Sequence, residues 1–277
     1  MATLLVRYSE IGLKTPRVRN RFERILKDNI LSMFMADGVE AFIDRRGSRF
    51  YVECEDPVKT IASLRKVFGV GSISETVVCS SDMEDICRTA AEYSKGRISA
   101  GQSFAVDARR EGTHPYTSMD VGREAGSAIF LANEGVKVDL TSPDIKFFVE
   151  VRDNRAYVFQ DYIRAHAGLP IGSQGKVVAQ VDDERGMVSA WLLMKRGCRV
   201  LYNGTYGIDA LRQYDPELRE CNDTNSKYAL AYCFGYDLDK VVNGFDPSAY
   251  DLPVFFPTVG MGDDEVSSLA ETIRAGL

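Results

Sequence analysis

Two helix starts and two glycine stops partition the first 80 residues, and they constrain the fold more than any other feature. Thr15-Pro16 offers an N-cap followed by proline at the first helical position, and Gly38 offers a stop. Between them Val18, Phe22, Ile25, Ile30 and Met33 recur near helical spacing. Asp56-Pro57 opens a second helix, with Ile61, Leu64 and Phe68 on its apolar face and Gly69 ending it. Residues 3–8, 39–44, 48–54 and 72–79 carry strand signals, the middle two flanking the turn Arg45-Arg46-Gly47. The order is β-α-β-β-α-β, which sets an α+β domain over residues 1–80.

A second unit follows over residues 81–165. Asp82 to Lys95 and Ser118 to Ala132 read as helices, Ser103 to Arg109 as a strand, and residues 145–152 and 155–162 as a hairpin turning at Asp153-Asn154. Residues 166–175, Gly-rich and aperiodic, read as a linker. The third unit, 176–277, opens with a strand at 176–181, a turn at Asp182-Asp183-Glu184-Arg185-Gly186, a helix at 187–196 and a strand at 198–202. Strand-helix-strand implies a parallel sheet, in a domain small for a complete doubly wound fold.

Composition narrows the chemistry. Only His114 and His166 are available for imidazole chemistry, and the six cysteines form no C-x-x-C pair. No metal centre or disulfide framework is expected. No apolar run reaches the ~20 residues that span a bilayer, and Met1 to Arg7 reads as a strand rather than a signal peptide, so a cytoplasmic protein is expected. The net charge of −6 is unevenly spread: residues 175–277 carry 10 basic and 16 acidic side chains. Residues 1–30 carry seven bases, Lys14 and Arg17 among them, against three acids. A local basic face can bind phosphate on a protein that is acidic overall.

Three places could carry function. Arg17, Arg21 and Arg24 fall on one helix face, where guanidiniums match a phosphate backbone; a solvated helix face explains them equally well. Arg109, Arg110, His114, Tyr116 and Ser118, with Arg123 a turn later, gather bases, a hydroxyl and rings at a strand-to-helix junction. That helix start favours an anion, and the rings could stack on an unpaired base; the alternative is an ordinary polar loop. Asp182, Asp183 and Glu184 could hold Mg²⁺, or could simply cap the next helix. Cys221 is the best candidate for an exposed thiol, although its acidic neighbours would raise its pKa. Cys198 is expected to be packing, and Cys79 is a weaker candidate still.

The residues also support a resemblance. Val6-Arg7-Tyr8-Ser9-Glu10-Ile11-Gly12-Leu13-Lys14, with Arg17 and Arg19-Asn20-Arg21-Phe22, resembles the N-terminal ferredoxin-like domain of the ThiI family of 4-thiouridine tRNA sulfurtransferases, also linked to thiamine biosynthesis. His114-Pro115-Tyr116-Thr117-Ser118-Met119-Asp120-Val121-Gly122-Arg123 and Val138-Asp139-Leu140-Thr141-Ser142-Pro143-Asp144 resemble the family's THUMP domain. Gly168 to Val177 resembles the entry to its catalytic domain, and Met194-Lys195-Arg196-Gly197-Cys198 the end of its first catalytic helix. The resemblance implies a ferredoxin-like βαββαβ domain, a THUMP α/β domain and a Rossmann-like PP-loop domain. It also implies that Lys14, Arg17, Arg21, Arg24, Arg109, Arg110, His114, Tyr116, Ser118 and Arg123 bind RNA, at the acceptor end of tRNA. Homodimers are common in the family.

The departures are equally specific. Where the family's ATP loop reads Ser-Gly-Gly-x-Asp-Ser, this chain reads Asp182-Asp183-Glu184-Arg185-Gly186, and carboxylates there would repel a triphosphate. Much of the following domain is missing, and the family's persulfide-carrying cysteine is expected to be absent. The expectation is therefore a tRNA-binding protein with a degenerate, truncated PP-loop domain and no cofactor, leaning away from an enzyme. It would present tRNA to a separate modification enzyme docked on the acidic C-terminal region, with no membrane partner. One alternative is an active sulfurtransferase that uses ATP and Mg²⁺ at 182–184 and Cys221 as sulfur carrier. Another is a protein-interaction module that does not bind RNA.

Overall fold

The computed structural model describes residues 1–276. In chain order its elements are β1 (Ala2–Tyr8), α1 (Pro16–Asp37), β2 (Ala41–Arg46), β3 (Arg49–Cys54), α2 (Pro57–Arg65), β4 (Val70–Ser80), α3 (Met83–Ser94) and β5 (Ser103–Glu111). Then come α4 (Ser118–Ala132), β6 (Lys137–Val138), β7 (Ile145–Arg152), β8 (Arg155–Phe159), β9 (Ile163–Arg164), β10 (Lys176–Val181), α5 (Glu184–Lys195) and β11 (Arg199–Gly204). The chain ends with α6 (Ile208–Arg212), β12 (Arg219–Glu220), α7 (Asp223–Ser226), β13 (Ala231–Phe234), α8 (Leu238–Gly244), β14 (Val254–Phe255) and α9 (Asp263–Ala275). Strands β1 to β4 lie in the order β2-β3-β1-β4, the ferredoxin-like arrangement that the β-α-β-β-α-β pattern implies.

By packing the chain forms two compact units, and it passes from one to the other within β1, β3 and β4, at the start of α2 and within β9. The first comprises Met1–Leu5, Tyr51–Pro57 and Ser74–Ile163. In it β5 runs parallel to β7 over Phe104–Glu111, and β7 and β8 form an antiparallel hairpin. Asp153 takes the left-handed conformation at the hairpin turn, φ 51°. Helices α3 and α4 cover one face, with Ile86, Ala90, Val121, Ala125 and Ile129 packed against Phe104, Phe147 and Val149. Burying such side chains supplies roughly 1.5–3 kcal/mol for each large one.

The second unit comprises Val6–Phe50, Val58–Ile73 and the chain from Arg164 on. Its all-parallel sheet runs β12-β11-β10-β13-β14, so the expected parallel sheet is present. One core holds both its sequence-distant parts. Phe68 lies among Trp191, Tyr214 and His166, with ring centroids 5.3, 5.5 and 5.8 Å away.

Several local expectations are corrected. Helix α5 begins at Glu184, three residues early, because Asp183 takes the N-cap position and Glu184–Gly186 become its first turn. Phe68 lies beyond α2 rather than on its apolar face. Val18 is exposed, and Phe22, Leu26, Ile30, Met33 and Phe34 form the buried stripe of α1. Thr15 occupies the N-cap of α1 without a side-chain cap bond. The segment read as a linker has no regular structure, yet Leu169, Ile171 and Ser173 are buried. Asn29 of α1 donates to the Ile171 carbonyl at 3.1 Å, and Leu169 N–H to the Lys195 carbonyl at 3.0 Å. The left-handed glycine Gly168 makes this docking possible, since a Cβ there would lie 2.2 Å from the Lys195 oxygen.

Candidate nucleic-acid interface

In the first unit a groove of about 820 Å³ runs between β5 and α4. Phe104, Val106, Met119, Phe130, Val138 and Leu140 give it apolar walls, while Ser118, Arg123 and Lys146 supply polar groups. Met119 and Leu140 are about four-fifths exposed, unusual for large apolar side chains. Two features keep the groove open. Strand β5 pairs with β6 only at Ser103 and Phe104, so the edge beyond carries no neighbouring strand. Gly122 and Gly126, one turn apart on α4, face that edge; a Cβ on Gly122 would lie 3.5 Å from the Val106 oxygen, and one on Gly126 3.8 Å from Val106 Cγ2. Side chains there would fill the space that the glycines leave.

The strand-to-helix junction is more self-contained than its composition suggests. Thr117 and Asp120 form a capping box: the Thr117 hydroxyl accepts from Asp120 N–H at 3.2 Å, and the Asp120 carboxylate accepts from Thr117 N–H at 2.9 Å. The Thr117 backbone and then its hydroxyl hold the Asp120 carboxyl below its usual range. This helix start therefore carries its own anion, which corrects the expectation that it waits for one. Arg123 meets Asp120 and Glu124 at 3.2 and 3.1 Å but remains largely exposed along the groove. His114 and Tyr116 stack on each other, centroids 5.3 Å apart. His114 Nε2–H donates to the Asp153 carbonyl at 2.5 Å, and the Tyr116 hydroxyl donates to the Ser81 carbonyl. These rings brace the loop instead of presenting open faces. Arg110 donates to the Gly112 carbonyl at 2.7 Å, and Arg109 lies 4.0 Å from Asp107. Ser118 and Arg123 are thus the sequence-chosen residues that reach the groove. Met119, Gly122, Gly126, Phe130 and Lys146 were missed; the spacing of Gly122 and Gly126 in an otherwise good helix was the available signal.

In the second unit Arg17, Arg21 and Arg24 are exposed along α1 as the spacing predicts, and no acid pairs with them among the described residues. The one acid on the buried side, Glu23, accepts from Tyr8 at 2.6 Å and pairs with Arg45. Lys14 is exposed at the end of the turn that leads into α1.

Comparison with known proteins identifies the two domains that carry these features. Residues 3–74 match the ThiI ferredoxin-like domain and residues 80–161 match the THUMP domain. The chain is a THUMP protein with a ThiI-type front domain. A protein of Methanosarcina acetivorans named "Probable tRNA sulfurtransferase" is 40% identical over 220 residues, 76% of this chain and 53% of that protein. The tRNA sulfurtransferase of Thermoplasma volcanium is 38% identical over 199 residues, 71% of this chain and 40% of that one. The THUMP protein therefore spans about half the length of the relatives it matches. The crystal structure of PH1313 from Pyrococcus horikoshii matches all of this chain and all of its own, with a TM-score of 0.81 and 27% identity. A 4-thiouridine synthetase crystallised with RNA and ATP shares the fold, with a TM-score of 0.80 over 99% of this chain and 85% of that one, at 22% identity.

The C-terminal turn of this THUMP protein uses its side chains on itself. Asp183 caps α5, accepting from Gly186 N–H at 2.7 Å, and Asp182 accepts from Gln180 at 2.6 Å. Glu184 accepts from Ser267 at 2.8 Å and pairs with Arg274; these two bonds, Arg274 first, pull its carboxyl below the usual range. Arg185 donates to the Thr258 and Met261 carbonyls at 3.0 Å and pairs with Asp263 at 2.6 Å. The crevice between β10 and β13, where the strand order reverses, is the place where such sheets bind ligands. Here Gly235 lies against the first turn of α5, so close that a Cβ would stand 2.2 Å from Gly186 N. No group of three side chains suited to a metal ion occurs among the described residues. Cys221, expected to be exposed, is half-buried beside Val178, Leu201 and Ala229; burial first and Asp223 second push its thiol up. Burial likewise raises the Cys198 and Cys79 thiols. No helix of the described residues is long and apolar enough to cross a membrane.

Proposed function

We propose that this protein binds the acceptor end of tRNA, with the groove beneath α4 taking unpaired nucleotides and the arginine face of α1 taking phosphates. The groove is the observation that carries the reading. Its apolar walls suit bases, Arg123 and Lys146 suit phosphates, and unpaired ends are the part of an RNA whose bases can enter a protein groove. The relatives named tRNA sulfurtransferase and the RNA-bound 4-thiouridine synthetase of the same fold support RNA as the partner class. We read the C-terminal unit as one that does not adenylate tRNA. The Asp183 cap, the carboxylates of 182–184 and the approach of Gly235 support that reading, because they spend or crowd the backbone N–H groups of the β10–α5 turn that a phosphate would need. The protein then presents tRNA to a separate modifying enzyme, for which its acidic C-terminal region offers a docking surface.

Titration with tRNA and with ATP·Mg²⁺ tests this. Salt-sensitive tRNA binding is expected, with no ATP binding at micromolar concentrations. Reversing Arg17, Arg21 and Arg24 to Glu should lower tRNA affinity at least about tenfold and flatten its salt dependence by roughly two to three ion equivalents. Micromolar ATP binding would overturn the non-adenylating reading, and an unchanged affinity in the triple variant would remove α1 from the RNA face.

A further inference from the structure

Two sequence motifs that the function leaves unused meet in the second unit. The first, Ser9-Glu10-Ile11-Gly12-Leu13-Lys14, forms a single 3-10 turn, Glu10–Leu13, capped where the Ser9 hydroxyl accepts from Glu10 N–H at 2.6 Å. Ile11 is fully buried and anchors the turn, whereas Leu13 and Lys14 project outward. Such a short turn has poor internal geometry and takes its position from its contacts. The second motif, Met194-Lys195-Arg196-Gly197-Cys198, ends α5. Arg196 is the C-cap of that helix, with its N–H bonded to the Leu192 and Leu193 carbonyls at 3.1 Å. Its Nη1 donates to both oxygens of Glu10, at 3.0 and 3.3 Å. Glu10 is its one acidic partner among the described residues.

Glu10 is an odd choice at that point. It is one of three acids among seven bases in the first 30 residues, and it stands four residues from Lys14 and seven from Arg17. A carboxylate there opposes a polyanion unless it has another task. We propose that Arg196 is a positioning residue for nucleic-acid binding: by holding Glu10 it fixes the turn that presents Lys14 and starts the arginine face of α1. This rests on the acceptor-end reading. It gives the segment from residue 176 on a task even without adenylation, because the end of α5 becomes the brace for the basic face.

The sign of one substitution separates positioning from simple charge. Glu10→Ala makes the protein less negative, so charge alone predicts tighter tRNA binding. Positioning predicts weaker binding, by about two- to fivefold, the range open to a half-exposed ion pair. Arg196→Ala should weaken binding by a similar factor, and the exchanged pair, Glu10→Arg with Arg196→Glu, should return most of the loss. Amide hydrogen exchange without RNA gives a second measurement: protection over residues 10–19 should fall in both single variants and recover in the exchange. Unchanged or tighter tRNA binding by Glu10→Ala, or unchanged exchange over 10–19, would overturn the proposal. Failure of the wild-type protein to bind tRNA would instead overturn the acceptor-end reading, and with it this one.

Discussion

The groove of the THUMP domain and the crevice of the C-terminal sheet begin from the same parts, but their glycines act in opposite ways. Each follows a strand into a helix, β5 into α4 and β10 into α5, and each helix start is capped by a carboxylate or hydroxyl of the chain itself. Glycines decide the difference. Gly122 and Gly126 leave volume beside an unpaired strand edge. Gly235 removes volume, because the absence of its side chain lets the backbone close onto the first turn of α5. Glycine content alone says nothing about whether a ligand site is open; what matters is whether the missing side chain would have met solvent or backbone.

The contrast can be broken at several points. The largest effect is expected from Gly235→Val, whose side chain would collide with the Gly186 backbone. It should cost about 3 kcal/mol or more, measured by denaturant unfolding. Stability within 1 kcal/mol of the wild type would show that the crevice is looser than the geometry indicates.

The second effect is pH-dependent and belongs to the second unit. His166 packs against Phe68, Trp191 and Tyr214, and burial first, then Lys195 and Arg65, lower its pKa to about 4. The unfolded chain takes up this proton near pH 6.5 and the folded one does so only near 4. Stability is therefore whole above about 6.5 and falls as the pH is lowered through that window, by ~2 kcal/mol at most after allowance for solvent screening. His166→Phe should flatten this part of the stability profile, and an equally steep profile in that variant would place the proton elsewhere.

A smaller, functional effect is expected from Gly126→Leu. It fills the groove while improving helix propensity by up to about 1 kcal/mol, so the melting temperature should hold or rise while tRNA affinity drops about tenfold. Wild-type affinity in this variant would move the unpaired nucleotides out of the groove. The smallest effect is that of Asp183→Ala, which removes the cap of α5 and should cost ~1 kcal/mol without creating ATP·Mg²⁺ protection in a thermal shift. A melting temperature that rises with ATP in this variant would mean that one carboxylate was all that kept the crevice shut.

Much of the front half was legible because its signals are local. Helix α4 matches the sequence reading at both ends, and Gly38 stops α1 as expected. The parallel pairing of β10 and β11 followed from strand-helix-strand spacing. Side-chain engagement was not legible, because it depends on residues far apart in the chain. Nothing near His114 announces that the Asp153 carbonyl will accept its hydrogen bond, or that the Ser81 carbonyl will hold Tyr116. The start of α5 was misplaced for a related reason: a run of acids reads as a turn until one of them is seen to cap the helix. The groove itself was invisible, since it is defined by what β6 does not cover.

The position of Phe68 has a consequence for how such a chain can be trimmed. Its ring is one of the largest fully buried groups, and its neighbours Trp191 and Tyr214 lie more than 120 residues downstream. A deletion from residue 176 onward would take Trp191 and Tyr214 away and leave that ring facing water. The front half would then tend to aggregate rather than survive as a smaller protein. The segment that carries Trp191 and Tyr214 is therefore part of the core that Phe68 needs, whatever chemistry that segment performs.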